Sequence, residues 1–289
     1  MRIIDSHHHV WDLSVRDQDW ITGPELDPIR RDFFIEELRQ ETTRAGVDAT
    51  VVVQTVTGPE ETPELLELAG DSDLVAGVVG WTDLTEPNVA DDLASLSEGP
   101  GGERLVGIRH QVQAERDPRW LLRPDVDRGL AAVAAAGLVY DLVIRPHQLP
   151  MAIQAAAARP ELTFVLDHLG KPPIASGAIE PWAHNVRELA ALPNTVCKFS
   201  GLVTEADWAA WTVADLRPYT DTVLAAFGPY RIMYGSDWPV CRLAASYGEV
   251  LDAAGRLTEE LSPDEQAQVF GGTAKRTYGL GRCEGAMAG

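Results

Sequence analysis

The segment Ile3-Ile4-Asp5-Ser6-His7-His8-His9 discriminates between the two common architectures built from alternating strands and helices. Ile3 and Ile4 predict a short first strand, and the residues that follow it are polar and include no glycine. An open doubly wound sheet usually carries a glycine-rich turn after its first strand. Histidines at this place therefore favour a closed barrel over an open sheet.

The rest of the chain repeats the strand and helix pattern of this first unit. Seven further apolar runs rich in β-branched residues predict strands at 49–54, 75–81, 105–110, 138–144, 162–168, 195–200 and 231–237. Amphipathic stretches between them predict helices, among them 87–96, 126–136, 151–158 and 180–191. Eight such units predict an α/β protein with one domain over residues 1–289, a single (β/α)8 TIM barrel.

Two segments depart from the repeat. The connection from Trp11 to about Pro28 has no clear period and is long enough to fold over one mouth of the barrel. Ser262-Pro263-Asp264-Glu265 has the order of an N-cap, a proline at the first helical position and a capping-box glutamate. This motif predicts a C-terminal helical extension, which we expect Gly271-Gly272 to break.

Composition and charge narrow the classes of partner. The 289 residues are 45% hydrophobic and 24% charged, which is typical of a globular protein. A formal net charge of −20 disfavours nucleic acid and anionic lipid as partners, so we expect a small-molecule substrate. Neither a membrane span nor a signal peptide is recognisable, which predicts a cytoplasmic protein. The sequence leaves open whether the chain forms a homo-oligomer.

The cysteines predict neither a disulfide framework nor a zinc knuckle. Cys197, Cys241 and Cys283 are odd in number and lack the spacing of metal ligands. We therefore expect them to be reduced packing residues.

Functional residues of a TIM barrel lie at the carboxyl ends of its strands. Polar or aromatic residues end or follow each of the eight predicted strands: His7, His8, His9, Gln54, Trp81, Arg109, His110, Arg145, His147, Asp167, His168, Lys198, Ser200 and Asp237. Neighbouring residues of a strand face opposite sides, so only one of Arg109 and His110 is expected to enter the barrel. We favour His110.

The spacing His7-x-His9 predicts a site where two ring nitrogens face a single ion or a carbonyl group. Alternate residues of an extended strand point the same way, so both imidazoles can converge on one point inside the barrel while His8 faces away. Imidazole is the commonest metal ligand, and Asp237 on the neighbouring eighth strand can supply a third ligand or a base. If a metal is bound there, the predicted ligands are His7, His9 and Asp237.

Six blocks in order along the chain resemble the amidohydrolase superfamily, and within it the amidohydrolase-2 branch that contains sugar-acid lactonases. These blocks are Asp5-Ser-His-His-His-Val-Trp11, Gly107-Ile-Arg-His-Gln111, Asp141-Leu-Val-Ile-Arg-Pro-His147, Asp167-His-Leu-Gly-Lys-Pro172, Cys197-Lys-Phe-Ser-Gly201 and Tyr234-Gly-Ser-Asp-Trp-Pro239. The resemblance implies a hydrolase that opens an aldonolactone, with Asp237 as general base and His168 as a second catalytic residue. Substrate-binding residues are expected among His110, Arg109, Arg145, His147, Lys198 and Trp81.

The resemblance also bears on the cofactor. No carboxylated lysine or glutamate stands clearly at the strand ends to bridge two metals, so the expected cofactor is one divalent ion, with zinc favoured. Asp141 lies in the fifth strand, where many one-metal members carry a histidine, and this departure leaves metal-independent catalysis open. The alternative functions are a metal-dependent decarboxylase of an aromatic or unsaturated carboxylic acid and a non-catalytic binder of sugar acids.

Overall fold

Eight parallel strands pair in chain order in the computed structural model, which describes residues 2–281. The strands are β1 Ile4–His8, β2 Ala49–Val53, β3 Val75–Gly80, β4 Leu105–His110, β5 Val139–Leu142, β6 Phe164–Leu166, β7 Thr195–Phe199 and β8 Ile232–Tyr234. The predicted eight-stranded barrel is confirmed. β8 ends three residues before Asp237, so this residue lies in the turn that follows the strand.

Helices follow the strands and cover the outside of the barrel. They are α1 Ile35–Ala45, α2 Glu61–Gly70, α3 Val89–Glu98, α4 Pro124–Ala135, α5 Leu149–Ala158, α6 Trp182–Ala190, α7 Leu202–Glu205, α8 Val213–Phe227, α9 Tyr247–Leu257, α10 Pro263–Ala267 and α11 Thr273–Thr277. The four helices that the periodicity predicts correspond to α3, α4, α5 and α6, with ends that differ by at most two residues.

The C-terminal extension begins as its capping motif predicts, but its glycines do not break it. Ser262 accepts a hydrogen bond from the backbone N–H of Glu265 at the start of α10. The chain then continues through a π-helical turn, Gln268–Gly272, into α11. A Cβ atom on Gly271 would lie 2.5 Å from the carbonyl oxygen of Arg2. The expected break is therefore wrong, because Gly271 permits close approach of the helix to the start of β1.

Alternation along the strands builds the barrel interior in layers. Val139, Val165 and Val196 belong to one apolar cluster with Tyr278 from the C-terminal extension. Two residues further along the same strands, on the same face, stand Asp141, Asp167 and Lys198. The interior is thus apolar at the amino ends of the strands and charged toward the carboxyl ends.

The seam between β1 and the turn after β8 closes the barrel. His8 pairs with Trp238 in a parallel bridge, the N–H of Asp237 donates to the carbonyl of His7 (2.8 Å), and the N–H of His9 donates to the carbonyl of Trp238 (2.7 Å). The fully buried Asp5 stabilises this seam by contacts with the turn after β8 and with α9. Its carboxylate accepts from the backbone N–H (2.8 Å) and hydroxyl (2.6 Å) of Ser236 and from the hydroxyl of Tyr247 (3.0 Å).

Cys197 and Cys241 are free and buried, as the sequence predicts, whereas Cys283 lies outside the described residues. Within residues 2–281, no helix has the length and apolarity that crossing a bilayer requires.

Replacing Asp5 should loosen the seam. Asp5→Ala leaves the N–H of Ser236 and two buried hydroxyls without their acceptor, and we expect it to lower the free energy of unfolding by about 3 kcal/mol or more. Asp48→Ala is the matched control, because the exposed Asp48 carboxylate also accepts a backbone N–H near β1, that of Ile3 (2.7 Å). Its expected cost is below about 1 kcal/mol. Equal losses for both variants in urea denaturation would show that Asp5 does not hold the seam.

Candidate active site

Three imidazoles surround the carboxylate of Asp237 at the carboxyl end of the barrel. Oδ1 of Asp237 lies 3.7 Å from Nε2 of His7, 3.6 Å from Nε2 of His9 and 4.0 Å from Nε2 of His168. The Nε2 atoms of His7 and His9 are 3.2 Å apart. The predicted convergence of His7, His9 and Asp237 is present, and His168 joins the same cluster.

Local backbone geometry brings these side chains together. The pairing of β1 with β2 shifts register between Asp5 and His8, which lets both Ile4 and His7 face the barrel interior although they are three residues apart. His168 (φ 53°) and Asp237 (φ 57°) both adopt the left-handed conformation, which non-glycine residues rarely occupy. Such strain is concentrated at functional sites, where the surrounding structure holds it.

Partners behind the rings fix the direction of two imidazoles. Nδ1 of His9 lies 2.7 Å from the carbonyl oxygen of Val53, which can only accept, so this nitrogen carries the proton. Its Nε2 is the ring nitrogen that faces Asp237. Nδ1 of His168 pairs with the hydroxyl of Ser200 at 2.9 Å. Such outer partners are typical of metal-binding histidines.

Burial and neighbouring charges set the protonation of the cluster. Burial, reinforced by the charge of Lys198, lowers the pKa of His7 well below its ordinary value, and burial lowers the pKa of His168 to about 4. Burial by itself would raise the pKa of Asp237, but His168 and His9 outweigh it and hold that pKa below its ordinary value. At neutral pH the site therefore combines neutral rings at His7 and His168 with an ionised carboxylate at Asp237.

This donor set fits a divalent cation. Possible ligand atoms of His7, His168 and Asp237 all lie within 4.8 Å of one another. Nε2 of His9 lies 3.2 Å from Nε2 of His7 and 3.6 Å from Oδ1 of Asp237. Neutral imidazole and carboxylate are the ligands that zinc takes in catalytic sites. The residues present can thus hold one divalent ion.

A network of buried ions lies beneath the imidazoles. Nζ of Lys198 is 2.5 Å from Oδ2 of Asp141, 3.1 Å from Oδ1 of Asp167 and 3.2 Å from Nδ1 of His7. Arg109 contacts the second oxygen of Asp167 at 3.0 Å, so that two cations balance two carboxylates. Burial raises the pKa of Asp141 to about 6 although Lys198 opposes it, whereas Lys198 and His7 overcome burial and hold the pKa of Asp167 well below its ordinary value.

Above the imidazoles, a cavity of about 340 Å³ opens at the mouth of the barrel. We call it the mouth cavity; its wall contains the catalytic candidates His168 and Asp237 and the predicted metal ligand His9. Trp20 and Leu26 of the long first loop also line it, which confirms that this loop covers the mouth. The remaining wall is mostly polar and includes Thr55, Arg109, Gln111, Gln113, Arg145, Lys171, Thr204, Glu205 and Trp208. A cavity of this size and polarity suits a small hydroxylated molecule.

The structure reverses the expected choice between Arg109 and His110. Arg109 enters the barrel and lines the mouth cavity, so the preference for His110 was wrong. His110 lies on the other side of β4, where it accepts from the indole N–H of Trp81 (3.0 Å), contacts Glu115 (2.7 Å) and stacks on Trp120. Adjacent strand residues face opposite sides, and the sequence alone could not say which side was inward.

Of the other residues predicted to bind substrate, only some line the mouth cavity. Arg145 lines the mouth cavity, whereas Trp81 and His147 are absent from its wall. Lys198 is fully buried within the ion network below it. Further wall residues were not predicted from the sequence: Gln111, Gln113, Trp20, Trp208 and Lys171. Gln111 and Lys171 lie inside the quoted sequence blocks, which was the available signal.

Comparison with known proteins identifies the family. A model of the amidohydrolase family matches residues 4–280. This chain belongs to the amidohydrolase family. It is 44% identical to an L-fucono-1,5-lactonase of Burkholderia multivorans over 96% of each chain, and 40% identical to an L-fucono-1,5-lactonase of Burkholderia ambifaria over 98% of this chain and 97% of the relative.

A solved amidohydrolase structure shows the same similarity in three dimensions. The crystal structure of an amidohydrolase from Burkholderia multivorans with bound zinc superposes with a TM-score of 0.91. The two proteins are 42% identical, and the match covers 97% of this chain and 100% of that one.

Gly201 of this amidohydrolase holds the space for His168. Gly201 has φ 65°, and a Cβ atom there would lie 2.5 Å from Nδ1 of His168. Gly177 is the matched control, because it has φ 69° and a Cβ atom added to it would meet nothing within 4 Å. Both alanine variants carry a backbone cost of roughly 1 kcal/mol. We expect Gly201→Ala to lose at least about 1 kcal/mol more in urea denaturation, because His168 must move away from Ser200. Equal losses would contradict this packing.

Proposed function

We propose that this amidohydrolase opens a sugar-acid lactone by attack of water on the ring carbonyl. Two relatives at 40–44% identity over almost the whole chain are L-fucono-1,5-lactonases. The observation that carries the proposal is the ionised Asp237 carboxylate, surrounded by imidazoles, at the floor of a polar cavity large enough for a sugar ring. A 1,5-lactone of an aldonic acid is the substrate class that we favour.

Asp237 acts as the general base in this proposal. Its carboxylate is buried, ionised at neutral pH and in the wall of the cavity, where an attacking water would bind. His168, whose Nε2 lies 4.0 Å from Oδ1 of Asp237, orients that water and returns a proton to the ring oxygen as it leaves. The low pKa of His168 favours the neutral ring at pH 7, and the proton it passes on comes from the water by way of Asp237.

Positive side chains supply the electrostatic part of the reaction. Arg109 enters the mouth cavity from below and lies 3.4 Å from Nε2 of His7. We propose that Arg109 and Arg145 contact oxygen atoms of the substrate, the first near the carbonyl and the second near the ring hydroxyls. His110 and Trp81 then contribute by holding the loop after β4, and Lys198 by holding His7.

The cofactor in this proposal is one zinc ion, which His7, His9 and Asp237 would hold. The choice of His9 rests on its Nδ1 contact with the carbonyl of Val53, which leaves Nε2 free to bind a metal. Bound zinc polarises a carbonyl and lowers the pKa of a coordinated water toward about 7. His168 remains as the group that contacts the water.

Asp237→Asn tests the base. A general base contributes about 10²- to 10⁴-fold, and we expect kcat for L-fucono-1,5-lactone, followed with a pH indicator, to fall by that factor. Asp83→Asn, in the loop after β3 and outside the mouth cavity, is the control and should keep kcat within about twofold. An unchanged kcat in Asp237→Asn would remove Asp237 from the mechanism. Acid release without carbon dioxide separates a lactonase from the decarboxylase alternative.

Zinc content tests the assignment of ligands. After extensive dialysis, we expect His9→Asn to lose most of its zinc, whereas His168→Asn keeps close to one zinc per chain and loses turnover. The difference follows because loss of one ligand typically weakens metal binding far more than loss of a group that contacts only water. Zinc retained by His9→Asn and lost by His168→Asn would assign His168 as the third ligand instead.

A further inference from the structure

The wall of the mouth cavity is apolar on one side. Four side chains line it there, and we call them the apolar wall: Trp20, Leu26, Val240 and Leu243. All four are only partly buried, so each keeps some surface accessible. The indole N–H of Trp20 donates to Oε1 of Gln18 (2.8 Å), so the polar atom of this side chain already has a partner within the protein.

The loops after β1 and β8 place the apolar wall beside the proposed base. Leu26 belongs to the 3₁₀ helix Pro24–Ile29, which lies against the 3₁₀ helix Val240–Leu243. In the second helix, the N–H of Cys241 donates to the backbone carbonyl of Asp237 (2.8 Å). The apolar wall is therefore fixed relative to Asp237.

The side of the cavity across from the apolar wall is polar. Because the strands pair in chain order, the loops after β4 and β5 lie across the barrel from the seam between β1 and β8. These loops contribute Gln111, Gln113 and Arg145 to the cavity wall, and Lys171 and Glu205 continue it after β6 and β7. The cavity thus has an apolar side next to the proposed base and a polar side opposite.

The ring of a 1,5-lactone has two corresponding edges. Its ring oxygen joins the carbonyl carbon C1 to C5, so the substituent on C5 lies on the same edge as the bond that breaks. The hydroxyl groups on C3 and C4 lie across the ring from that edge. When C1 is at Asp237 and these hydroxyls face the polar side, the C5 substituent meets the apolar wall.

We infer that the apolar wall contacts the C5 substituent of the substrate and makes the enzyme selective for lactones that carry a methyl group there rather than a hydroxymethyl group. This inference rests on the proposed lactone hydrolysis and narrows its substrate class to 6-deoxyaldono-1,5-lactones. An apolar surface gains free energy by burying a methyl group, whereas it leaves the hydroxyl of a hydroxymethyl group without a hydrogen-bond partner.

Three lactones with the same configuration at C2, C3 and C4 test this selectivity. C5 carries a methyl group in L-fucono-1,5-lactone, a hydroxymethyl group in L-galactono-1,5-lactone and only hydrogen in D-arabinono-1,5-lactone. We expect the wild-type kcat/KM for the first to exceed that for each of the others about tenfold, the low end for one such group, because the wall is only partly enclosed. Equal kcat/KM for all three would overturn the inference and leave lactone hydrolysis standing.

Leu26→Ala removes apolar surface at the C5 substituent. We expect it to lower the ratio of kcat/KM for L-fucono-1,5-lactone over D-arabinono-1,5-lactone about threefold or more. Leu13→Ala is the matched control, because Leu13 is a partly buried leucine of the same loop that lies outside the mouth cavity. It should change kcat/KM for both lactones by the same factor. An unchanged ratio in Leu26→Ala would contradict the contact.

Val240→Thr places a hydroxyl group in the apolar wall with little change of shape. We expect the preference for L-fucono-1,5-lactone over L-galactono-1,5-lactone to fall about fivefold or more, because the new hydroxyl can pair with the hydroxymethyl group. Val143→Thr is the matched control, since Val143 follows β5 and lines the cavity across the barrel. Its ratio should stay within about twofold of the wild type. A shift in Val143→Thr but not in Val240→Thr would place the C5 substituent on the opposite side and refute the inference.

Binding measurements separate this inference from the proposed reaction. L-fuconate and D-arabinonate differ by the same methyl group, and titration calorimetry with them requires no turnover. We expect the wild type to bind L-fuconate about tenfold more tightly than D-arabinonate, and Leu26→Ala to reduce this difference about threefold or more. A wild type that hydrolyses no lactone would refute the proposed function, and the calorimetric comparison would then decide the inference by itself. Equal binding of the two acids by such a protein would overturn it.

Discussion

The hydrogen bonds between β1 and the turn after β8 are the constraint on which the site depends. His7 and His9 come from one end of the chain and Asp237 from the other, and they meet because backbone bonds join His7 to Asp237 and His9 to Trp238. Asp5 supports this junction from the helix side through Ser236 and Tyr247. The fold and the site are therefore coupled, because the contacts that close the barrel also set the distances between His7, His9 and Asp237.

A layer of buried ion pairs beneath His7 also stabilises the site. Lys198 and Arg109 neutralise Asp141 and Asp167 directly below His7, and the hydroxyl of Tyr278 donates to Asp141 at 2.9 Å from the C-terminal extension. Removing one partner of a buried ion pair is costly, so this layer is expected to keep His7 in one orientation.

The sequence predicted the barrel and the convergence of His7, His9 and Asp237 because both follow from local periodicity. Strand alternation says that His7 and His9 share a face, and the chain order places strands one and eight side by side. The same rule could not decide between Arg109 and His110. Strand alternation says that two neighbouring residues face opposite sides of the sheet, but it does not say which of them faces the barrel interior. The burial of Lys198 and the pairing of Gln111 with Gln113 depend on contacts between distant strands, and Gly271 depends on close approach to Arg2. Local sequence patterns carry none of this information.

Anomalous diffraction at the zinc absorption edge, from crystals of the zinc-loaded protein, tests the convergence of the two chain ends most directly. The geometry predicts one peak per chain, within about 2.0–2.2 Å of Nε2 of His7, Nε2 of His9 and a carboxylate oxygen of Asp237. A peak elsewhere in the barrel, two peaks, or no peak at the seam between β1 and β8 would contradict it.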